Sequence, residues 1–234
     1  MSRQKIAKSV RSDKSDFGTY GSRVTTLAGN TVRLVCGRIR EDLLRYAAES
    51  LGVEQSALAY GHYDAPCDLP DPETGVGDFA QSYSFGVHAV EVEVDPETGQ
   101  VKIHKFVAAT DCGNLINPPL AESQVEGGVA QGIGYALMED LVCYENGQVL
   151  NPHLSTYRIP TAPERPPITA LWVETDDPRG PYGAKGLGEM GLVPTAPAVV
   201  SAIRHATGAW VTKLPMTPER VLEAIEASRQ GKQG

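Results

Sequence analysis

The chain has 234 residues, 41% of them hydrophobic and 21% charged, with a formal net charge of −8 at pH 7. Such a composition is ordinary for a globular protein, and the length allows one large domain or two small ones with a real core. No run approaches the 18 consecutive apolar residues of a membrane-spanning helix, so no membrane partner is expected.

Charge is unevenly spread. Residues 1–40 carry nine Lys/Arg against two acids, which leaves the remainder strongly acidic. The opening MSRQKIAKSVRSDKSD has no apolar core for a secretory signal, and Asp13 and Asp16 argue against a transit peptide. It lacks the recognition motif and interleaved aromatics of a nucleic-acid arm, so no nucleic-acid partner is expected. Residues 1–16 therefore read as a flexible or partner-bound arm, solvated or lying on an acidic surface.

From Gly29 to Leu51 the spacing of Val32, Val35, Ile39, Leu43, Leu44 and Ala47 predicts a helix with one apolar face, and Gly52 suits its C-cap. Residues 61–78 are rich in Pro, Gly and Asp and read as a loop. Between Gly86 and Thr110, Val90, Val92 and Val94 alternate with Glu91 and Glu93. The turn Asp95-Pro-Glu-Thr-Gly99 then returns the chain through Val101 and Ile103, which predicts a β-hairpin. The same pentapeptide at 71–75 predicts a second turn, without implying a repeat.

Pro118 and Pro119 open a predicted helix running to Met138, whose Gly127, Gly128, Gly132 and Gly134 are poor helix formers. They make sense where another backbone or a ligand packs closely. A short hairpin is expected around Glu145-Asn-Gly147, a strand over 167–175, and a helix over Val193–Ala206. A last helix starts at Thr217-Pro218, with Thr as N-cap and Pro at the first position. The order of elements indicates α+β rather than a doubly wound sheet.

Cys36, Cys67, Cys112 and Cys143 are widely separated, with no C-x-x-C. Neither a zinc ribbon nor an iron–sulfur site is encoded, so any redox cluster belongs to another chain. Reduced thiols and a cytoplasmic location are the expectation.

Gly186-Leu-Gly188-Glu-Met-Gly191 fits the spacing G-x-G-x-x-G of a dinucleotide fingerprint. The context does not fit. The loop TDDPRGPYGAK separates it from the preceding strand, and no Asp or Glu occurs between Met190 and Pro218 to bind a ribose. What remains is a glycine-dense loop carrying Lys185 and Glu189. Glycines allow close backbone approach to a ligand, and burial of the loop would suit Glu189 to act as a base. A tight turn with Glu189 exposed is the other reading.

Three further segments bear on this choice: FGTYGSR (17–23), DCGNLINP (111–118) and QVEGGVAQGIGYAL (124–137). Together with GAKGLGE they resemble, in order and spacing, the C-terminal part of the molybdenum-binding large subunit of one enzyme family. It is the xanthine dehydrogenase, aldehyde oxidase and carbon monoxide dehydrogenase family. The links YRIPTAPERPP (157–167) and LPMTPERV (214–221) are similar too. The resemblance implies a molybdopterin-binding domain over residues 17–225, followed by a flexible tail at 226–234.

It further implies that Glu189 stands beside the molybdenum as general base, taking the proton of a metal-bound hydroxyl that attacks an electron-poor carbon. Aldehydes and N-heterocycles are the implied substrates. Thr19, Tyr20, Gly21, Ser22 and Arg23 are implied to bind the cofactor's phosphate, although Arg23 also suits a surface salt bridge. Lys185, Gly186 and Gly188 fall along the pterin. Asp111, Cys112 and Asn117 are implied around the cofactor tail, with a buried inert thiol as the alternative for Cys112. Gln124 and Gln131 are hydrogen-bond candidates toward the pterin or ordinary helix surface.

No protein ligand to the metal is implied, because the family's molybdenum takes its sulfur from the pterin dithiolene. The pterin's nucleotide, cytidine or none, stays open. [2Fe–2S] and FAD are implied on partner subunits, and the N-terminal half of the molybdenum-binding region on another chain, as in a split subunit or a truncated product. The chain departs from the family pattern at Met190-Gly191, where many members have two prolines, and at Val24, where serine is usual.

Overall fold

A computed structural model describes residues 24–49, 70–77, 80 and 82–231, with the backbone alone over 42–49. It divides into two compact units, Met1–Tyr83 with Thr175–Gly186, and Ser84–Glu174 with Leu187–Gly234.

In the first unit the predicted helix forms as α1 (Val24–Glu49). Among its described side chains the buried positions differ from those expected: Val32 and Ile39 are exposed, whereas Thr26 and Asn30 are buried. The reason is a polar bond and a close approach that override the apolar stripe. Asn30 Nδ2 donates to the Arg179 carbonyl at 2.9 Å. One residue earlier, a Cβ on Gly29 would come within 2.9 Å of Pro181 Cγ. The segment that meets α1 winds around Asp177, which is buried. Its carboxylate accepts from the Arg179 amide at 2.8 Å and from the Ser82 hydroxyl. Gly52 and most of the predicted 61–78 loop lie outside the described residues.

Both DPETG pentapeptides form the same turn. Asp71 Oδ1 accepts from the amides of Glu73 and Thr74, Asp95 Oδ1 from that of Glu97, and Gly75 and Gly99 adopt positive φ. These bonds favour the ionised carboxylates and hold both aspartates below the usual range.

The second unit is built on one three-stranded sheet in the order β1-β2-β3. The predicted hairpin is β1 (Phe85–Val94) paired antiparallel to β2 (Val101–Asp111), with a bulge after Glu91. Helix α2 (Pro118–Leu137) then carries the chain across to β3 (Ile168–Trp172), which lies parallel to β2. Parallel neighbours require such a crossover, and a helix supplies it. α3 (Thr195–Thr207) and α4 (Pro218–Gly231) complete the unit.

Val125, Val129, Ile133 and Ala136 form one stripe of α2. They pack with Phe106 of β2, Val199 and Ile203 of α3, and Val221 and Ile225 of α4 in a single core. Helices packed on a mixed sheet make the fold α+β. The short 141–150 hairpin forms around Gly147 at φ +83°, with the Tyr144 and Leu150 amides donating to the Gln148 and Val142 carbonyls and Cys143 bridged to Val149. Thr217 caps α4, with Arg220 N 3.5 Å from its Oγ1.

Candidate functional site

The glycines of α2 explain where the Glu189 loop goes. A Cβ on Gly128 would fall 2.8 Å from Gly191 Cα, and one on Gly132 would fall 2.5 Å from Thr195 Cβ. A Cβ on Gly191 would in turn meet the Val125 carbonyl at 2.6 Å. Helix and loop therefore touch backbone to backbone, and only glycine permits that distance. The close packing expected of these residues is with another backbone at Gly128, and with side chains at Gly132 (Thr195) and Gly134 (Pro160 and Glu139). Gly127 is different, with nothing within 4 Å of its Cβ position.

Two side chains hold the loop in place. Gln124 Nε2 donates to the Gly188 carbonyl at 2.7 Å. Thr195, fully buried at the start of α3, donates from Oγ1 to the Gly191 carbonyl at 2.8 Å. Between these anchors the amides of Leu192 and Val193 both donate to the Glu189 carbonyl, at 3.0 and 3.1 Å. The result is a tight turn that leads straight into α3 and leaves Glu189 exposed. The burial expected around Glu189 is thus not supplied, because the turn directs it away from the core.

Behind the loop lies a residue that the sequence reading missed. His88 of β1 has Nδ1 3.2 Å from Thr195 Oγ1, and its ring meets Phe106 edge-on with centroids 5.2 Å apart. Its Nε2 is buried without a hydrogen-bond partner. Burial alone lowers its pKa from 6.5 to about 4, so the ring is neutral at pH 7. A signal was present. His88 stands in phase with Val90, Val92 and Val94, and a polar residue at an inward strand position calls for a partner.

The remaining candidates are distributed as follows. Thr19, Tyr20, Gly21, Ser22 and Arg23 lie outside the described residues. Asp111 ends β2 and Cys112 follows it, both buried; Asp111 Oδ1 accepts from the Gly113 amide at 2.9 Å, where Gly113 takes φ +67°. Asn117 is the N-cap of α2, its Oδ1 accepting from the Leu120 amide at 3.3 Å. That bond and the two prolines, which have no N–H, occupy the helix start.

Gln131 is exposed on α2. Lys185 and Gly186 close the first unit, whereas Gly188 and Glu189 belong to the second. Of the predicted set, the fold brings Gln124 onto the Gly188–Glu189 turn.

Among the described residues no three His, Cys, Asp or Glu side chains cluster closely enough to hold a metal ion. No described helix is long and apolar enough to cross a membrane. The polar groups at the turn, the Gln124 amide, the accepting carboxylate of Glu189 and a glycine-rich backbone, suit a polar organic group and not a bare metal ion. At the end of β2, Thr110 Oγ1 is buried with no partner.

A glycine-faced helix that pins a carboxylate-bearing turn marks an α+β domain, not a dinucleotide-binding unit. The turn follows a 3-10 segment and a loop instead of a strand. Comparison with known proteins specifies the class. The model of the molybdopterin cofactor-binding domain matches residues 6–65 and 57–166, and the chain belongs to that family.

The xanthine dehydrogenase molybdenum-binding subunit of Escherichia coli O157:H7 is 34% identical over 236 residues, covering 89% of this chain and 31% of that protein. The nicotine 6-hydroxylase large subunit of Paenarthrobacter nicotinovorans is 31% identical, covering 89% and 30%. Among solved structures, the aldehyde oxidoreductase of Desulfovibrio desulfuricans ATCC 27774 matches with a TM-score of 0.73 and 34% identity, over 87% of this chain and 23% of that one. The chain spans under a third of the length of the curated relatives compared with it, from 21% to 31%.

Proposed function

We propose that this chain is the molybdopterin-binding portion of a molybdenum hydroxylase and that Glu189 is its general base. What supports the reading is the Gln124–Gly188 bond at 2.7 Å, which fixes an exposed carboxylate in a glycine turn of a molybdopterin-binding domain. When bound, molybdopterin supplies the redox centre at which a substrate carbon gains oxygen. The residues proposed to hold it are Gln124, Lys185, Gly186 and Gly188, with Asp111, Cys112, Asn117 and the 19–23 segment toward its tail.

Glu189 Oε removes the proton from the attacking oxygen. A carboxylate in that role contributes about 10²- to 10⁴-fold in rate. Overall, a C–H bond of an aldehyde or N-heterocycle is replaced by C–O with oxygen from water, releasing two electrons and two protons. The electrons pass to [2Fe–2S] and FAD groups on partner subunits. The N-terminal half of the molybdenum-binding region is supplied by another chain.

The test is co-purification of the chain with its partner subunits, followed by molybdenum analysis and turnover. Glu189→Gln is expected to keep the metal and lose at least about 10²-fold in kcat. A metal-free chain that captures no partner would overturn the proposal. The exposure of Glu189 favours a second reading, a non-catalytic truncated fragment or assembly module, which predicts unchanged turnover in the Glu189→Gln complex.

A further inference from the structure

Glu189 stands between two carbonyls, each held by a side chain: Gly188 by Gln124 and Gly191 by Thr195. The second hold depends on a third residue. Thr195 has one hydroxyl proton and two neighbours, the Gly191 carbonyl at 2.8 Å and His88 Nδ1 at 3.2 Å. The shorter contact takes the proton. His88 then meets a hydroxyl lone pair, so Nδ1 must carry the ring's hydrogen and donate it.

The other nitrogen agrees with this assignment. Nε2 is buried without a partner, and a bare acceptor is tolerated there better than an orphaned N–H. The edge-on contact with Phe106 fixes the ring plane, so the hydrogen is aimed at Thr195.

We infer that His88, held as the Nδ1–H tautomer, is a positioning residue: through the Thr195 hydroxyl it fixes the Gly191 carbonyl and so the turn that carries Glu189. The consequence for catalysis rests on the proposed role of Glu189. The local claim does not.

The experiment uses the full-length chain, labelled with ¹⁵N. Long-range ¹H–¹⁵N correlation at neutral pH is expected to show His88 neutral and protonated at Nδ1. Hydrogen exchange is then followed at the Leu192 and Val193 amides, which close the turn onto the Glu189 carbonyl. The Phe106 amide, bonded to the Pro167 carbonyl at 3.0 Å, reports on the sheet as a whole.

His88→Leu and Thr195→Val should each speed exchange at 192 and 193 by about five- to tenfold, as expected for one lost hydrogen bond. Phe106 exchange should change much less. The double variant should resemble either single one, because both remove the same hold. His88→Asn, which keeps a donor near the Nδ1 position, and Thr195→Ser, which keeps the hydroxyl, should restore slow exchange.

An Nε2–H tautomer would overturn the inference. So would parallel acceleration at Phe106, or failure of the two conservative variants to restore protection. A variant too unstable to hold its sheet is read through these conservative ones. None of the readouts depends on turnover, so the fate of Glu189 as a base is decided separately.

Discussion

Gln124 Nε2 donates to the Gly188 carbonyl at 2.7 Å, and this bond joins α2 to the residue just before Glu189. Replacing Gln124 by Ala removes one exposed hydrogen bond, worth about 0.5–1.5 kcal/mol of stability. Gln124→Glu is expected to be worse, since a carboxylate then faces a carbonyl oxygen. Thermal unfolding of the chain gives the first quantity. Turnover of the complex per bound molybdenum, expected to fall in both variants, gives the second.

Two adjacent glycines should respond in opposite directions to alanine. Gly127 has open space at its Cβ position, so Gly127→Ala is expected to stabilise by about 0.5–1 kcal/mol through helix propensity alone. At Gly128 the added methyl meets Gly191 Cα at 2.8 Å, and backbone cannot step aside. Overpacking of about 1–3 kcal/mol then outweighs the propensity gain. Urea denaturation of the two variants side by side checks the sign of each.

Gly191 stands where many relatives are expected to carry proline. Here the same helix approach forbids it, because any Cβ at 191 would meet the Val125 carbonyl at 2.6 Å. Gly191→Pro is therefore expected to destabilise by about 1–3 kcal/mol from packing. The accompanying shift of the turn should raise hydrogen exchange at Leu192 and Val193. A stabilised Gly191→Pro variant would contradict the close approach.

The two turn glycines at Gly99 and Gly147 separate strain from crowding. Both have positive φ, +73° and +83°, so alanine at either costs about 1 kcal/mol of backbone strain. Gly147 has nothing near its Cβ position, whereas at Gly99 the methyl would run into the Pro218 carbonyl at the start of α4. Gly99→Ala is expected to lose about 2 kcal/mol more than Gly147→Ala. A difference in melting temperature between them is the measure.

Stability should depend on pH through His88. The unfolded chain binds a proton near the ordinary pKa of 6.5, and the folded chain only near 4, because burial disfavours the charged ring. Below pH 6.5 the unfolded state therefore holds more protons than the folded state. The folded state is favoured in full above pH 6.5, loses ground as pH falls toward 4, and loses no more from this group below that. Unfolding at pH 7 and pH 5 should show a slope that His88→Asn reduces.

Sequence alone determined the elements whose causes are local. The alternation of Val90, Val92 and Val94 with Glu91 and Glu93 set the strand, Asp95 to Gly99 set the turn, and Thr217-Pro218 set the start of α4. The same locality made Gly186–Gly191 legible as something other than a dinucleotide fingerprint, since the missing acid is a fact of spacing. Nothing in spacing could place β3 beside β2 in parallel. Nor could it bury Thr26 and Asn30 instead of Val32 and Ile39, because those outcomes depend on which segments meet. The tertiary structure also decided what the α2 glycines are for. Gly128 admits the backbone of Gly191 and Gly132 the Thr195 side chain, and the loop so admitted is held by Gln124 on one side of Glu189 and by Thr195 with His88 on the other. A hydrogen bond between residues 64 apart in the chain leaves no periodic mark, because its geometry is set by packing and not by the local backbone.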